Sequence, residues 1–294
     1  MRQRKFFYIV LLSVLLTFSG CGKTEDNGNE TKIQETQEDN KIQIACCFDN
    51  FVVERWQRDR DVFVSTAQEL GAEVNVQNGN GDVQEQIRQI EYFIDKKADV
   101  LVIVPIDSES LTNVIKKAKN AGIKVISHDR LALQSDCDLY ISFDNKMVGE
   151  LMGKGMALKL HKGDRAVMIC GAAEDSNVAL VEEGFRRVAA ENGIEITDCV
   201  YMDNWKADLA GQYVSEHIDA VREVQGIMCG NDDLASQAVK VLSENRLAGQ
   251  VAVVAQDADL AACQRIVEGT QTMTVYKPIE QEASTAAELA VRLG

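Results

Sequence analysis

Hydrophobic and polar positions alternate along the chain with two different periods. Short apolar runs rich in β-branched residues recur, and each is followed by a longer segment whose apolar residues lie three or four positions apart. Residues 42–48 show the first pattern, and residues 55–70 show the second, with Trp56, Phe63 and Ala67 on one helix face. Because the first pattern is typical of buried strands and the second of amphipathic helices, the chain is predicted to alternate between strands and helices.

The alternation occurs in two consecutive sets. In the first set, the predicted elements cover residues 42–48, 55–70, 73–77, 83–96, 100–104, 110–121 and 124–127. In the second set, they cover residues 147–160, 166–170, 177–191, 197–202, 209–221, 226–229, 232–243 and 251–255. This rhythm predicts an α/β fold of two Rossmann-like lobes with parallel sheets. Segments 140–145 and 270–277 join the two sets, so we expect hinge crossings there and a ligand between the lobes.

Polar or aromatic side chains follow six of the apolar runs. They are Arg55 with Trp56, Asp129 with Arg130, Asn145, Asn231, Asp257 and Lys277. In open α/β sheets, ligands bind at the carboxyl ends of the strands, where such side chains converge. Planar polar groups bind neighbouring hydroxyls and an indole covers the apolar face of a sugar ring, so the set predicts a carbohydrate site. The alternative is that loops after strands are simply polar.

The first forty residues predict export. Basic residues precede the apolar run 6–16, and the small pair Ser19-Gly20 then precedes Cys21, which is the layout of a signal sequence. The run is too short to span a membrane. A cysteine after two small residues resembles the bacterial lipobox, so residues 1–21 are predicted to be a lipoprotein signal sequence with Cys21 lipidated. Residues 22–40 contain almost no apolar residue and are predicted to be a flexible linker.

Charge and cysteine usage narrow the classes of partner. The formal net charge of −15 argues against nucleic acid and against electrostatic adhesion to anionic lipid, so a lipid anchor is the expected membrane contact. Four of the eight cysteines, Cys46, Cys47, Cys170 and Cys229, lie inside apolar runs, as small core residues do. The sequence has no C-x-x-C pair and no His/Cys cluster. We therefore expect neither a disulfide framework nor a metal site, and no cofactor.

Catalysis is the weaker interpretation of the acidic residues. Asp129, Asp257 and Glu54 could form a glycosidase carboxylate pair, but their Arg and Lys neighbours would keep both carboxylates ionised, which does not suit a general acid. The three histidines, His128, His161 and His217, are scattered and are expected at the surface or in loops. The chain is therefore not expected to be an enzyme.

Four long stretches closely resemble the bacterial D-xylose-binding proteins of sugar ABC transporters, which are type I periplasmic binding proteins. These stretches are residues 54–61, 140–145, 255–260 and 269–278, and the resemblance extends from Lys41 to the end of the chain. It implies a first lobe of residues 41–144 plus 272–294 and a second lobe of residues 145–271. Family members continue past the last helix and cross between the lobes a third time, so the C-terminus is expected to be truncated relative to them.

The resemblance also implies a role for each candidate residue. Arg55, Trp56, Asp129 and Arg130 would contact the sugar from the first lobe. Asn145 and Lys277 would lie at the two crossings. From the second lobe, the sugar would be contacted by Asn177, Trp205, Asn231 and Asp257. Trp56 and Trp205 are the only tryptophans, which suits a family that packs sugars against aromatic rings.

The expected function is extracytoplasmic binding of D-xylose or a similar monosaccharide and its delivery to an ABC transporter permease. The alternative keeps the same sugar site but makes the partner a membrane sensor histidine kinase. A sugar-responsive repressor would need an N-terminal helix-turn-helix, and the predicted signal sequence occupies that position.

Overall fold

The computed structural model describes residues 41–51 and 53–294. The predicted signal sequence, the linker and the lipidation site Cys21 lie outside the described residues. Two parallel sheets, each covered by helices, confirm the predicted α/β fold with two lobes. In the described part of the chain, no helix is long and apolar enough to cross a lipid bilayer.

The first sheet has the strand order β2-β1-β3-β4-β5. Its elements are β1 (Gln43–Phe48), α1 (Glu54–Glu69), β2 (Glu73–Asn78), α2 (Val83–Asp95), β3 (Val100–Ile103), α3 (Thr112–Asn120), β4 (Lys124–His128) and β5 (Leu139–Ile141). Every pairing in this sheet is parallel. The side chains of β3 are buried along its whole length, as expected for a strand with helices on both faces.

The second sheet has the order β10-β9-β8-β6-β7 and is also parallel. Its elements are α4 (Asn145–Ala157), β6 (Arg165–Cys170), α5 (Ser176–Glu191), β7 (Glu195–Tyr201), a 3₁₀ turn (Asp203–Trp205), α6 (Ala207–Glu216), α7 (Ile218–Val221), β8 (Gly226–Cys229), α8 (Asp232–Glu244), β9 (Ala252–Gln256), α9 (Leu260–Glu268) and β10 (Met273–Val275). The last helix, α10 (Ile279–Leu293), returns to the first lobe, where its buried alanines pack beside α1.

Besides the 3₁₀ turn, the periodicity missed two strands and two helices, and it joined two other helices. Strands β5 and β10 are three residues long, too short to show an alternating pattern, and both lie in predicted crossings. Helix α10 turns a face of small alanines to the core, which is a weak hydrophobic signal, and α9 has a single buried residue, Ala262. The helix predicted over residues 209–221 is instead two helices that meet at His217.

The position of β10 changes the expected lobe boundary. Met273–Val275 pairs with β9 in the second sheet, whereas the helix that follows lies on the first lobe. We therefore propose that the second lobe extends to residue 275 and that the second crossing occupies residues 276–278, a few residues later than the sequence suggested.

Candidate functional site

One cavity at the carboxyl ends of the two sheets is lined by all ten predicted site residues. About 360 Å³ of space lies between the atoms there, and this figure includes open solvent at the mouth of the cavity. The predicted residues that line it are Arg55, Trp56, Asp129, Arg130, Asn145, Asn177, Trp205, Asn231, Asp257 and Lys277. Their shared role in binding remains a prediction, but the chain brings them together from both lobes.

Arg55 lies at the centre of the first-lobe side. Its Nη2 is 2.6 Å from Asp129 Oδ2 and 3.5 Å from Glu282 Oε2, and its Nη1 is 3.9 Å from Asp257 Oδ1. The guanidinium also lies 4.3 Å from the centre of the Trp56 ring, within cation–π distance. Burial alone would raise the pKa of Asp129, but Arg55, together with other nearby cations, outweighs it and lowers the pKa to about 2.

Two side chains cross the cleft between the lobes. Arg130 binds Asp49 in the first lobe at 2.7 Å and reaches Asp175 in the second lobe, where Nε and Oδ2 are 2.7 Å apart. Asn177, at the start of α5, donates from Nδ2 to the Asp129 carboxylate at 2.8 Å and to its backbone carbonyl at 3.1 Å. The lobes are therefore in direct contact around the cavity.

The second lobe and the two crossings contribute an ion pair and two amides. Lys277 Nζ lies 2.8 Å from Asp257 Oδ1. Asn231 caps α8, because its Oδ1 accepts a 2.9 Å hydrogen bond from the Leu234 amide. Asn145 donates from Nδ2 to Ser142 Oγ at 3.1 Å. A hydrogen bond within the protein holds one end of each side-chain amide. That bond fixes the direction in which the other end points.

Trp205 is positioned by two glycines and a carboxylate. Its indole Nε1 donates to Asp175 Oδ2 at 3.2 Å. A β-carbon at Gly171 would lie 2.2 Å from the Trp205 ring, and one at Gly230 would lie 3.1 Å from it. These glycines at the ends of β6 and β8 therefore leave the space that the indole fills.

We expect Gly171→Ala to displace the Trp205 ring, because the added methyl group and the indole cannot occupy the same space. Overpacking of this kind costs about 1–3 kcal/mol of folding free energy. Tryptophan fluorescence should shift to longer wavelength and the urea midpoint should fall. Gly211→Ala is the matched control, since its new β-carbon would approach only Gln237, with the nearest atom at 3.3 Å. An unchanged spectrum in the Gly171 variant would contradict this positioning.

Three of the nine described non-glycine residues with positive φ angles line the cavity. Asp129, Trp205 and Asp257 have φ angles of 60°, 56° and 105°, a region that non-glycine residues seldom adopt. At Asp129 the surrounding structure fixes this conformation, since its amide donates to the Ile141 carbonyl at 2.7 Å and its carbonyl accepts from Ser142 Oγ. Strained backbone that is held in this way is common at ligand sites.

Several buried polar atoms at the cavity are left without a partner. Among the residues that the structure describes, Arg55 Nε, Asn177 Oδ1 and Gln256 Oε1 make no hydrogen bond. Each such atom costs about 1–3 kcal/mol unless something satisfies it. Because the set contains a donor and two acceptors, it fits a ligand whose groups can both donate and accept, as hydroxyls do.

The structure adds residues that the sequence did not indicate. Val53, Asp175 and Gln256 also line the cavity. Asp49 and Glu282 lie behind it and hold Arg130 and Arg55. Asp175 lies two positions before Asn177, and Gln256 lies directly before Asp257. This closeness to predicted residues is the signal by which the sequence could have indicated them.

The expectation for His128 was wrong. Its side chain is fully buried, and Nε2 lies 2.9 Å from Asp59 Oδ1, whereas His161 and His217 are exposed as expected. Burial alone would lower the pKa of His128, but the charge and hydrogen bond of Asp59, with help from Glu282 and Asp129, raise it to about 9. Burial and the Asp129 charge raise the pKa of Glu282 to about 8.

These shifts predict that the protein loses stability as the pH rises. Between the ordinary pKa of 6.5 and about 9, folded His128 holds a proton that the unfolded chain releases. The stabilisation is complete below pH 6.5 and falls by about 3 kcal/mol as the pH passes 9, and Glu282 acts in the same direction from lower pH. Urea midpoints at pH 6.5 and 9 measure the loss. His128→Gln should reduce it and His217→Gln should not; equal losses in the two variants would contradict the assignment.

The fold brings together two cysteines and a glutamate that no motif in the sequence indicated. Cys170, Glu182 and Cys199 place their ligand atoms within 4.8 Å of one another, the single such group found among the described residues. The cysteines come from neighbouring strands, a juxtaposition that the linear spacing does not reveal. Cys46, Cys47 and Cys229 are buried core residues, as predicted.

Comparisons with known proteins agree with this architecture. A family model for the periplasmic binding protein domain matches residues 44–294. The D-xylose-binding periplasmic protein of Haemophilus influenzae is 43% identical over 291 residues, covering 97% of this chain and 83% of that protein. The protein of the same description from Escherichia coli is 42% identical over 259 residues, covering 86% of this chain and 78% of that protein.

A solved structure gives the same result for the fold. The ABC transporter solute binding protein of Mycobacterium smegmatis with bound glycerol superposes with a TM-score of 0.81 at 27% identity, covering 86% of this chain and 88% of that one. The resemblance to D-xylose-binding proteins is therefore confirmed, and the chain belongs to the periplasmic binding protein family.

Proposed function

We propose that this protein binds D-xylose, or a closely similar monosaccharide, outside the cytoplasm and delivers it to an ABC transporter permease. The observation that carries the proposal is the set of unpartnered donors and acceptors around a small cavity bordered by two indoles. The relatives described as D-xylose-binding periplasmic proteins support both the sugar and the extracytoplasmic location.

The charges at the cavity suit a neutral polyol. Arg55, Arg130 and Lys277 are each already paired with a carboxylate, so the site has no uncompensated cation that would favour an anionic ligand. Sugar hydroxyls can add hydrogen bonds to both members of these pairs. Each bond to a charged group contributes about 1.5–3 kcal/mol, and a micromolar dissociation constant needs about 8 kcal/mol in total.

The same pairs support binding without chemical change. A glycosidase needs one carboxyl group that keeps its proton near neutral pH. Asp129 is held ionised by Arg55, and Asp257 is paired with Lys277. Neither is suited to act as a general acid. Glu282, whose pKa is raised to about 8, lies behind Arg55 and does not line the cavity. We therefore propose a binding protein and not an enzyme.

Closure of the two lobes would couple binding to recognition by a membrane partner. Asn177 reaches Asp129 across the cleft, and Arg130 reaches Asp175. A sugar that bridges the same residues would favour the closed form and the surface that it presents. We propose that the permease recognises this surface and that a lipid on Cys21 keeps the protein at the membrane.

Uptake of labelled D-xylose tests delivery. Cells that lack the gene should lose uptake, and a copy of the unaltered gene should restore it, whereas Asp257→Ala should not. Asp95→Ala, which changes an exposed carboxylate on α2, is the matched control and should restore uptake. Unchanged uptake in the deletion strain, together with loss of a D-xylose-dependent transcriptional response, would favour the sensor-kinase alternative instead.

A further inference from the structure

Two cysteines contact each other on neighbouring strands of the second sheet. Cys170 ends β6 and Cys199 lies in β7, and their Sγ atoms are 3.8 Å apart. In the register of the two strands, Met168 lies opposite Cys199 and Cys170 lies opposite Tyr201. Since every second residue of a strand points to the same side, both thiols lie on one face of the sheet. The two cysteines are two residues out of register, so a bond of about 2.05 Å requires the ends of β6 and β7 to shift relative to each other.

The surroundings of Cys199 favour its thiolate. The side chain is partly exposed, and its Sγ lies 3.8 Å from Glu182 Oε1, whose charge opposes ionisation of the thiol. The hydrogen bond from the Cys170 thiol, supported by the Tyr201 hydroxyl and the Arg186 guanidinium, outweighs this charge and burial and lowers the pKa of Cys199. The buried Cys170 keeps its proton, because donation to Cys199 and burial raise its pKa. An accessible thiol that can form a mixed disulfide therefore lies beside a second thiol that can then attack that mixed disulfide.

We propose that Cys170 and Cys199 are a redox pair that closes as a disulfide when the protein meets an oxidising disulfide outside the cytoplasm. The extracytoplasmic location in this proposal rests on the proposed function. The pairing of the two cysteines rests on their geometry alone. Extracytoplasmic compartments sustain disulfides, and the 28 residues between the cysteines form a loop long enough for a bond to stabilise the fold.

The reaction takes two exchange steps. The Cys199 thiolate attacks one sulfur of the oxidising disulfide, which forms a mixed disulfide and releases one thiolate. Cys170 then loses its proton to solvent and attacks Cys199 Sγ, which forms the Cys170–Cys199 bond and releases the second thiolate. The protein loses two electrons and the oxidant gains them. The released thiolates take up the proton that Cys170 loses and the proton that Cys199 lost when it ionised.

A metal ion suits this cluster less well than a disulfide. Both oxygens of Glu182 are already engaged, one by Arg186 Nε at 2.7 Å and the other by the Tyr201 hydroxyl at 2.7 Å. A cation bound here would have to displace these bonds and lie beside a guanidinium. The same guanidinium stabilises a thiolate, which is the species that exchange requires.

The bond would join the two strands that hold Trp205. The turn that carries Trp205 follows β7, and Gly171, against which its ring packs, follows Cys170 in the chain. Oxidation would therefore fix the distance between β7, which leads to Trp205, and β6, which is followed by the glycine that the Trp205 ring contacts.

Thiol mapping of the purified chain tests the proposal. After incubation with oxidised glutathione and alkylation, tryptic digestion should give residues 166–186 linked to residues 188–206, and reduction should separate them. The oxidised protein should melt about 5 °C or more above the reduced one. Cys199→Ser should lose both effects, whereas the control Cys263→Ser, which removes an exposed thiol on α9, should keep both.

Two outcomes would overturn the proposal. One is full alkylation of Cys170 and Cys199 after oxidation, with no linked peptide. The other is a thermal shift that zinc chloride produces and a chelator reverses in the reduced protein, which would assign the cluster to a metal. Neither readout involves sugar, so failure here leaves the sugar titrations of the proposed function unaffected.

Discussion

Asp257→Ala is expected to weaken sugar binding by at least about a hundredfold while both sheets remain folded. The carboxylate forms ion pairs with Lys277 at 2.8 Å and with Arg55 at 3.9 Å, so it holds two cations of the site in place. Losing one charge-assisted bond costs about 1.5–3 kcal/mol, and leaving the two cations without this carboxylate costs more. Water can reach Lys277 through the cavity, so the fold should survive.

Isothermal titration with D-xylose measures this loss, and circular dichroism checks the fold. The control is Asp95→Ala, in which the removed carboxylate is exposed on α2. Unchanged affinity in the Asp257 variant would remove this residue from the site. Equal losses in both variants would show that the effect does not come from the cavity.

Arg55→Met is expected to lower the free energy of unfolding by about 3–5 kcal/mol at neutral pH and to abolish sugar binding. The guanidinium is buried among Asp129, Asp257 and Glu282. Methionine fills a similar volume but leaves these carboxyl groups without their shared cation. Urea denaturation measures the stability loss directly.

Arg58→Met is the matched control, because Arg58 also joins α1 to α10. Its Nη1 lies 3.1 Å from Glu280 Oε1, but both side chains are about half exposed. Exposed pairs of this kind contribute about 1 kcal/mol or less, so the control should change little. If the two variants lost the same stability, burial would not be what makes the Arg55 cluster strong.

The sequence predicted the two-lobe fold because the strands are buried on both faces and therefore appear as unbroken apolar runs. Strands such as β1 and β6 have this character, and their parallel order follows from the helices between them. Strands β5 and β10 could not be found in this way, because three residues carry no periodicity and their pairing partners define them.

The ten candidate residues could be chosen because they lie just past strand ends, where the topology brings them together, and because the resemblance supplied Asn177 and Trp205. The residues that hold them in place could not be predicted from the sequence. Glu282 is 227 residues from Arg55, and Asp59 is 69 residues from His128, so no local pattern connects either pair. The Cys170–Cys199 contact depends on strand register for the same reason.

Isothermal titration of the purified protein with D-xylose, D-ribose, L-arabinose and D-glucose is the decisive test of sugar binding. We expect one D-xylose to bind per chain with a dissociation constant on the order of 1 μM or lower, and the other three sugars to bind more weakly. Absence of heat with all four sugars, from a protein whose thermal transition shows that it is folded, would contradict the claim that this cavity binds a monosaccharide.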